Sequence, residues 1–315
     1  MANETLAAQV TDLINSASIS QTMLAHAMEF IIAHDKFRYY SLVGVKSPVQ
    51  QVARLTSNYT VDDNGATVDA EFDAAEGTAL SITQLNTENV QFTVSEYGVA
   101  HAISDIIYED SILGTQFMSV AVMNASHILA LAVEQAALSL LSSLSVSYGT
   151  SNADLTLAVA MAGLDGIRTR GTLAQGSVYT FDNKAWADLK TAAAAIGSSA
   201  LSYGGTGEQI LGMSRDANNG LGADRRVGTL YGQPVHETGL TPTATGGVDV
   251  VSGVWTPSSP VNDEHATFAY VEKRPFRMEI ERDGQLRADV VTFTRRCAVG
   301  EATDFSGSKF ISNAA

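Results

Sequence analysis

One cysteine, Cys297, stands in 315 residues, so no internal disulfide can form. A lone thiol of this kind is expected to be buried, in a chain that folds in a reducing compartment. Positive charge is missing over long stretches. No Lys or Arg precedes Lys36, and none lies between Arg54 and Arg168. The first absence, with Glu4 and Asp12 ahead of any apolar run, argues against a secretory leader. The second leaves a segment holding 14 of the 34 acidic residues. Basic residues crowd instead toward the other end, at Lys273, Arg274, Arg277, Arg282, Arg287, Arg295 and Arg296. A net charge of −15 speaks against tight nucleic-acid binding, which needs cations on phosphates. The separation of signs suits a different use, in which the acidic segment of one copy faces the basic segment of another.

Chemistry-bearing motifs are missing too. There is no GxxxxGK(S/T), HExxH or GxSxG, and one Cys rules out CxxC. GGTGEQILG (204–212) lacks dinucleotide-loop spacing and follows no strand. DANNGLGAD (216–224) has Leu221 where a calcium loop needs its turn glycine, and no closing Glu. The six histidines are scattered, and Glu134 is a lone helix carboxylate. The expectation is no catalytic residue, no metal and no cofactor.

What is present is a run, Ser111 to Val133, with no formal charge when His127 is neutral. About 20 apolar residues can cross a bilayer. Yet Gln116, Ser119, Asn124, Ser126 and His127 interrupt this run, and no Lys or Arg flanks it. Met118, Val122, Ala125, Leu129, Val133, Ala136 and Leu140 recur at three- and four-residue steps, one face of a buried helix. With Thr115 as its cap, that helix should reach about Leu144, roughly 45 Å at 1.5 Å per residue. A rod of that length suits a flat or elongated subunit.

Around it, 3–16 and 20–33 read as amphipathic helices, the second presenting Leu24, Met28, Ile31 and Ile32. Residues 48–95 read as strand and loop, with a turn at Asn64-Gly65. Val90, Phe92 and Val94 alternate, then Val99, His101 and Ile103, with His101 as a packed or edge residue. Ser104 caps a short helix, Asp105 to Asp110. Asp154 opens a helix with Leu157, Met161, Leu164 and Ile167 inward and Gly171 at its end. After a strand at Val178–Phe181, Asn183 caps a helix with Trp186, Leu189, Ala193 and Ile196 inward, stopped by Gly197. Residues 198–226 form a long loop. VGTLYGQPVHETGL (227–240) is strand-like, and 241–262 reads as a connector. Phe276, Met278 and Ile280 lead to Asp283-Gly284 and back along Leu286–Phe293, a β-hairpin. The class is α+β.

The order of these pieces is familiar. HAISDIIYEDS (101–111) precedes the long helix, which ends in AVEQAALSLLSSL (132–144). SVYTFDNKAWADLKTA (177–192), LYGQPVHETGL (230–240) and FAYVEKRPFRMEIERDGQLRADVVTFTRRCAVGEATDFSGSKFI (268–311) follow. Over nearly the whole chain this resembles the major capsid proteins of tailed bacteriophages, the Hong Kong ninety-seven fold. The resemblance implies an N-terminal arm (1–47), an extended loop or E-loop (48–95), and a peripheral or P domain with its spine helix (96–150). It further implies an axial or A domain (151–255), tipped by 198–226, and a return to the P domain (256–315) as a sheet beside the helix. It implies hexamers and pentamers closing into an icosahedral shell around double-stranded DNA, within a virion assembled in the host cytoplasm. Implied partners are other copies and a portal, with DNA enclosed but not specifically bound, and no membrane; whether a decoration protein binds outside is left open. Only about 45 residues precede the E-loop, too few for the built-in scaffold segment of some relatives, so a separate scaffold protein or none is expected. E-loop residues Asp69, Glu71, Asp73 and Glu76 would meet a neighbour's Arg274, Arg277 or Arg282. No Lys lies between Lys46 and Lys184, so the E-loop cannot supply the Lys that cross-links some relatives. Rival readings are an encapsulin-type compartment and a soluble α+β enzyme without a local motif.

Overall fold

The computed structural model describes residues 36–55, 87–106, 116–169, 176–200, 211–213, 226–259, 265–285 and 287–314. Outside them lie the two N-terminal helix patterns, Asn64-Gly65, Thr115, most of the 198–226 loop and all four E-loop acids.

The uncharged run becomes helix α1, Gln116–Ser139, about 36 Å long. Val122, Ala125, Leu129 and Val133 are buried as expected, but Ala136 and Leu140 are half-exposed. Ala130, Ala137, Leu138 and Leu141 are buried instead. The expected α-helix to Leu144 stops short. From Leu140 to Ser142 the chain tightens into a 3-10 turn. Here the Ser139, Ser142 and Ser143 hydroxyls each donate to a carbonyl three residues back. Hydroxyls competing for helix carbonyls in this way weaken the α ladder. By length and apolarity, Val120–Ser142 passes as a membrane span, but half of it is buried within the protein.

α1 lies on a four-stranded sheet ordered β1-β12-β13-β4. β1 is Arg38–Ser41, β4 is Ser95–Ser104, β12 is Phe268–Asp283 and β13 is Ala288–Glu301. β12 and β13 form the expected hairpin, longer than the alternation alone marks, and pair from Phe268↔Glu301 to Asp283↔Ala288. Ile103, Val291, Phe293 and Phe276 meet Val122, Ala125 and Leu129 of α1 in one cluster.

The second body is an eight-stranded sheet ordered β5-β14-β11-β6-β9-β8-β7, with β10 on β11. Its strands are Ser147–Gly149 (β5), Val178–Asp182 (β6), Leu211–Met213 (β7), Arg226–Leu230 (β8), Gln233–Thr238 (β9), Thr243–Ala244 (β10), Asp249–Trp255 (β11) and Gly307–Asn313 (β14). β8 and β9 turn at Tyr231-Gly232, both at positive φ (50° and 79°), a two-residue hairpin geometry. Helices α2 (Leu157–Thr169) and α3 (Asn183–Ala200) cover one face. Leu164, Ile167, Trp186 and Leu189 pack there against Tyr179, Phe181, Val254 and Phe310.

Several local expectations are corrected. α2 begins at Leu157, with the Thr156 hydroxyl accepting from the Val159 N–H, while Asp154 pairs with Lys184 instead. Met161 is exposed and Ala160 takes its inward place. For α3 the carboxylate of Asp182, not Asn183, accepts from the Lys184 N–H. That helix runs through Gly197 to Ala200. The 241–262 connector contains β11, every residue of which is buried. Val254 faces α2, and Val251 and Trp255 face the end of α1. A strand buried on both faces has no polar alternation to betray it. Residues 307–313, expected in the sheet beside the long helix, pair with β11 and β5 in the eight-stranded sheet.

A third element is a two-stranded ribbon, β2 (Val49–Leu55) against β3 (Thr87–Thr93), paired from Val49↔Thr93 to Leu55↔Thr87. It rises from the β13 side of the four-stranded sheet through Phe92 and Val94.

Candidate functional site

Among the described residues no group of three or more His, Cys, Asp or Glu could hold a metal ion. Cys297 is buried, and burial pushes its thiol above the ordinary value, so it is a poor nucleophile. His101 packs edge-on to the Phe293 ring, 6.3 Å between centroids, as a sheet residue. Glu134 is fully buried in α1.

The charges of the hairpin are built into structure instead. Arg274 donates to Glu96 (2.7 Å) and to Thr294 (2.9 Å). Arg282 donates twice to Asp105, both at 2.6 Å, and once to Asp289 at 3.2 Å. This bidentate contact holds the Asp105 carboxyl below its usual value. Arg277 pairs with Glu279 at 2.7 Å, both side chains more than half exposed. Arg295 is 3% exposed, pairs with Glu272 at 3.1 Å and lies over the Phe276 ring. Thus Glu96 and Asp105, two acids of the 55–167 segment, are met by arginines of their own chain. Of the three arginines singled out in the sequence, Arg274 and Arg282 tie β12 to β4 and the residue after it. Arg277 stands at the surface. Asp69, Glu71, Asp73 and Glu76 lie outside the described residues.

Exposed apolar side chains mark where the surface offers contact. Val120, Met123 and Ile128 lie on the outward side of α1, and Val43 and Val45 flank the root of the ribbon. An open groove of about 380 Å³ runs between β3, the 3-10 turn after α1 and the end of β13. No sequence pattern announced this groove. Its walls come from three elements far apart in the chain.

No protein-family model and no curated protein matches the sequence. Solved structures do match. The capsid of Cyanophage P-SCSP1u is similar over 89% of this chain and 88% of that one, with TM-score 0.62 at 8% identity. The head of Helicobacter pylori bacteriophage KHP40 is similar over 91% and 90%, with TM-score 0.58 at 8% identity. The holo-SrpI encapsulin complex from Synechococcus elongatus is similar over 87% and 84%, with TM-score 0.54 at 9% identity. The chain has the Hong Kong ninety-seven-type fold of phage capsid proteins, as its order of elements led one to expect.

Proposed function

We propose that this chain is the major capsid protein of a tailed bacteriophage, assembling as hexamers and pentamers into an icosahedral shell around double-stranded DNA. The observation that carries this is a fold shared with phage heads over about nine-tenths of both chains. On this reading α1 is the spine helix of a P domain with the four-stranded sheet, and the ribbon is the root of the E-loop. The eight-stranded sheet with α2 and α3 forms the body of the A domain, and 1–47 is an N-terminal arm. Function is self-association, with no catalytic step. Obligate interfaces of this kind bury about 2,000–5,000 Å². The exposed apolar side chains of α1 and of the ribbon root are surface of the right character. A net charge of −15 suits a container wall that releases its DNA. The virion is its final location, with assembly in the host cytoplasm. A portal and, where the shell needs one, a separate scaffold protein are the further partners this reading expects.

Electron microscopy of the purified protein tests this directly. Closed particles of uniform diameter are expected, and a monodisperse monomer at every salt concentration would overturn the proposal. The likeness to an encapsulin supports a second reading, a compartment for protein cargo. Particles taken from the natural source decide between them. Nuclease-protected DNA supports the capsid, and a single co-purifying enzyme supports the compartment.

A further inference from the structure

Among the described residues, the ribbon meets the body through Phe92, with Val52 and Val90 partly buried beside it. Phe92 and Val94 are buried with Leu42 among Ala269, Val271, Ala298 and Ala302. Backbone bonds hold the strand ends: Leu42 N–H to Glu272 O at 2.7 Å and Val94 N–H to Pro48 O at 2.9 Å. The Lys273 ammonium donates to the carbonyls of Val45 (2.7 Å) and Ser47 (2.6 Å). These contacts fix where the ribbon starts. Beyond it Val52 and Val90 are partly buried against the same cluster, and Phe92 is the ribbon side chain buried within it.

That ring rests on a glycine. A Cβ built on Gly300 would lie 2.3 Å from Phe92 Cε1 and 2.5 Å from Cδ1, closer than any real contact. The backbone of Gly300 does not lie in the positive-φ region, so no turn geometry calls for glycine there. Glycine inside a strand weakens it and marks close approach of another group. Here the approaching group is the Phe92 ring. The 380 Å³ groove opens beside the same ring, lined by Val90, Leu140, Val299, Gly300 and Glu301 among others. A cavity of about 150 Å³ already admits benzene, so the groove has room for a displaced phenyl ring.

We infer that Phe92 on Gly300 is the pivot that sets the angle at which the ribbon leaves the body, with the adjacent groove as the ring's second seat. Five residues of strand separate Phe92 from Thr87, a lever of about 17 Å at 3.4 Å per residue. A tilt of roughly 10° moves its far end by about 3 Å, enough to part side chains that touch at about 4 Å. Gly300 and Phe92 are therefore positioning residues for whatever the ribbon engages. The consequence for assembly rests on the shell reading; the pivot does not.

Hydrogen exchange on the unassembled subunit tests it. Gly300→Ala should speed exchange at residues 49–55 and 87–93 at least tenfold, while α1 and β11 keep their wild-type rates. Phe92→Ala should do the same. Gly300→Ala added to Phe92→Ala should change nothing further, because the seat is then already empty. Ribbon exchange within twofold of wild type in Gly300→Ala overturns the pivot, and so does a further tenfold rise in the double variant. Should Gly300→Ala fail to fold, Phe92→Leu carries the same comparison, with a rise of several-fold expected and an unchanged ribbon overturning the idea. In particles, Gly300→Ala should give an altered diameter or open shells. A wild-type protein that forms no shell sinks the capsid reading and leaves the exchange comparison to decide the pivot.

Discussion

Leu129→Ala and Val120→Ala together test which face of α1 carries the subunit. Leu129 is 2% exposed and packs with Ile103, Val122, Phe276, Val291 and Phe293, whereas Val120 is 58% exposed. Truncating Leu129 removes three carbons from a dry site, about 2.4 kcal/mol of transfer free energy at about 0.8 per methylene. The cavity left between helix and sheet raises this to about 3–5 kcal/mol. Truncating Val120 removes two carbons already half in water, and costs about 0.5 kcal/mol or less. Urea unfolding of the unassembled subunit, followed by far-UV circular dichroism, reads the difference. With a slope of about 3 kcal/mol/M, Leu129→Ala should lower the midpoint by about 1 M or more and Val120→Ala by about 0.2 M. Equal shifts, or a larger one for Val120→Ala, would mean that α1 presents a different face to the sheet. That would refute the packing of α1 on the four-stranded sheet.

Other outcomes follow from the same packing. Burial pushes the Cys297 thiol and the Tyr179 and Tyr270 phenols above their ordinary values. The unfolded chain then loses these protons first, so their contribution is complete below about pH 8.5 and is lost as pH rises. The melting temperature should fall between about pH 8.5 and 11, less steeply in Tyr270→Phe; a flat profile contradicts this. Gly163→Ala places a Cβ 2.3 Å from Phe310 Cε1, and overpacking of that kind costs about 1–3 kcal/mol. Thermal denaturation checks it, and an unchanged melting temperature would show that α2 and β14 are not so close. Reversing Glu71 and Asp73 to Lys should lower particle yield and its salt sensitivity, with partial recovery on adding Arg277→Glu; unaffected assembly removes the charge pairing. Denaturing gels of mature particles should show single chains, since the E-loop has no Lys; a ladder of multimers would disprove this.

Where sequence reading succeeded, one physical pattern dominated locally. The uncharged run showed itself as α1 because a buried helix repeats apolar residues at three and four. The hairpin Phe268–Asp283 with Ala288–Glu301 showed itself through alternation up to Asp283-Gly284. The misreadings share a cause, which is burial imposed by distant chain. β11 looked like a connector because both its faces are covered and its flanks are rich in Thr and Gly. Met161 and Ala160 differ by one helical position, and packing against distant chain decides between them: Ala160 enters the cluster with Tyr179 and Phe181 of β6. Arg274 and Arg282 looked like partners for a neighbour's E-loop because their own partners, Glu96 and Asp105, are more than 170 residues away in sequence. The groove beside Phe92 was illegible for the same reason.

The two sheets do not behave as separate beads. One buried cluster draws Val133, Ala137, Leu138, Leu141 and Leu144 from α1 and the residues after it. To these it adds Val178, Val251 and Trp255 from the eight-stranded sheet, and Phe268, Tyr270 and Cys297 from the other. Phe37 enters it edge-on to Trp255, 5.5 Å between centroids, at the start of the described chain. The indole N–H of Trp255 donates to Thr180 at 3.0 Å, so the largest buried ring is also held by its polar end. Relative motion of the sheets would expose this whole cluster, at roughly 1.5–3 kcal/mol for each large side chain. The subunit is thus stiff where the long helix crosses from one sheet to the other. The ribbon, in contrast, is joined by one small cluster and a few backbone bonds. If the chain tiles a shell as proposed, a subunit rigid through its centre and pivoting at Phe92 meets what a closed shell asks of chemically identical copies in unlike positions. On the proposed shell reading, that division of stiffness, more than any single contact, is what lets one sequence occupy all of those positions.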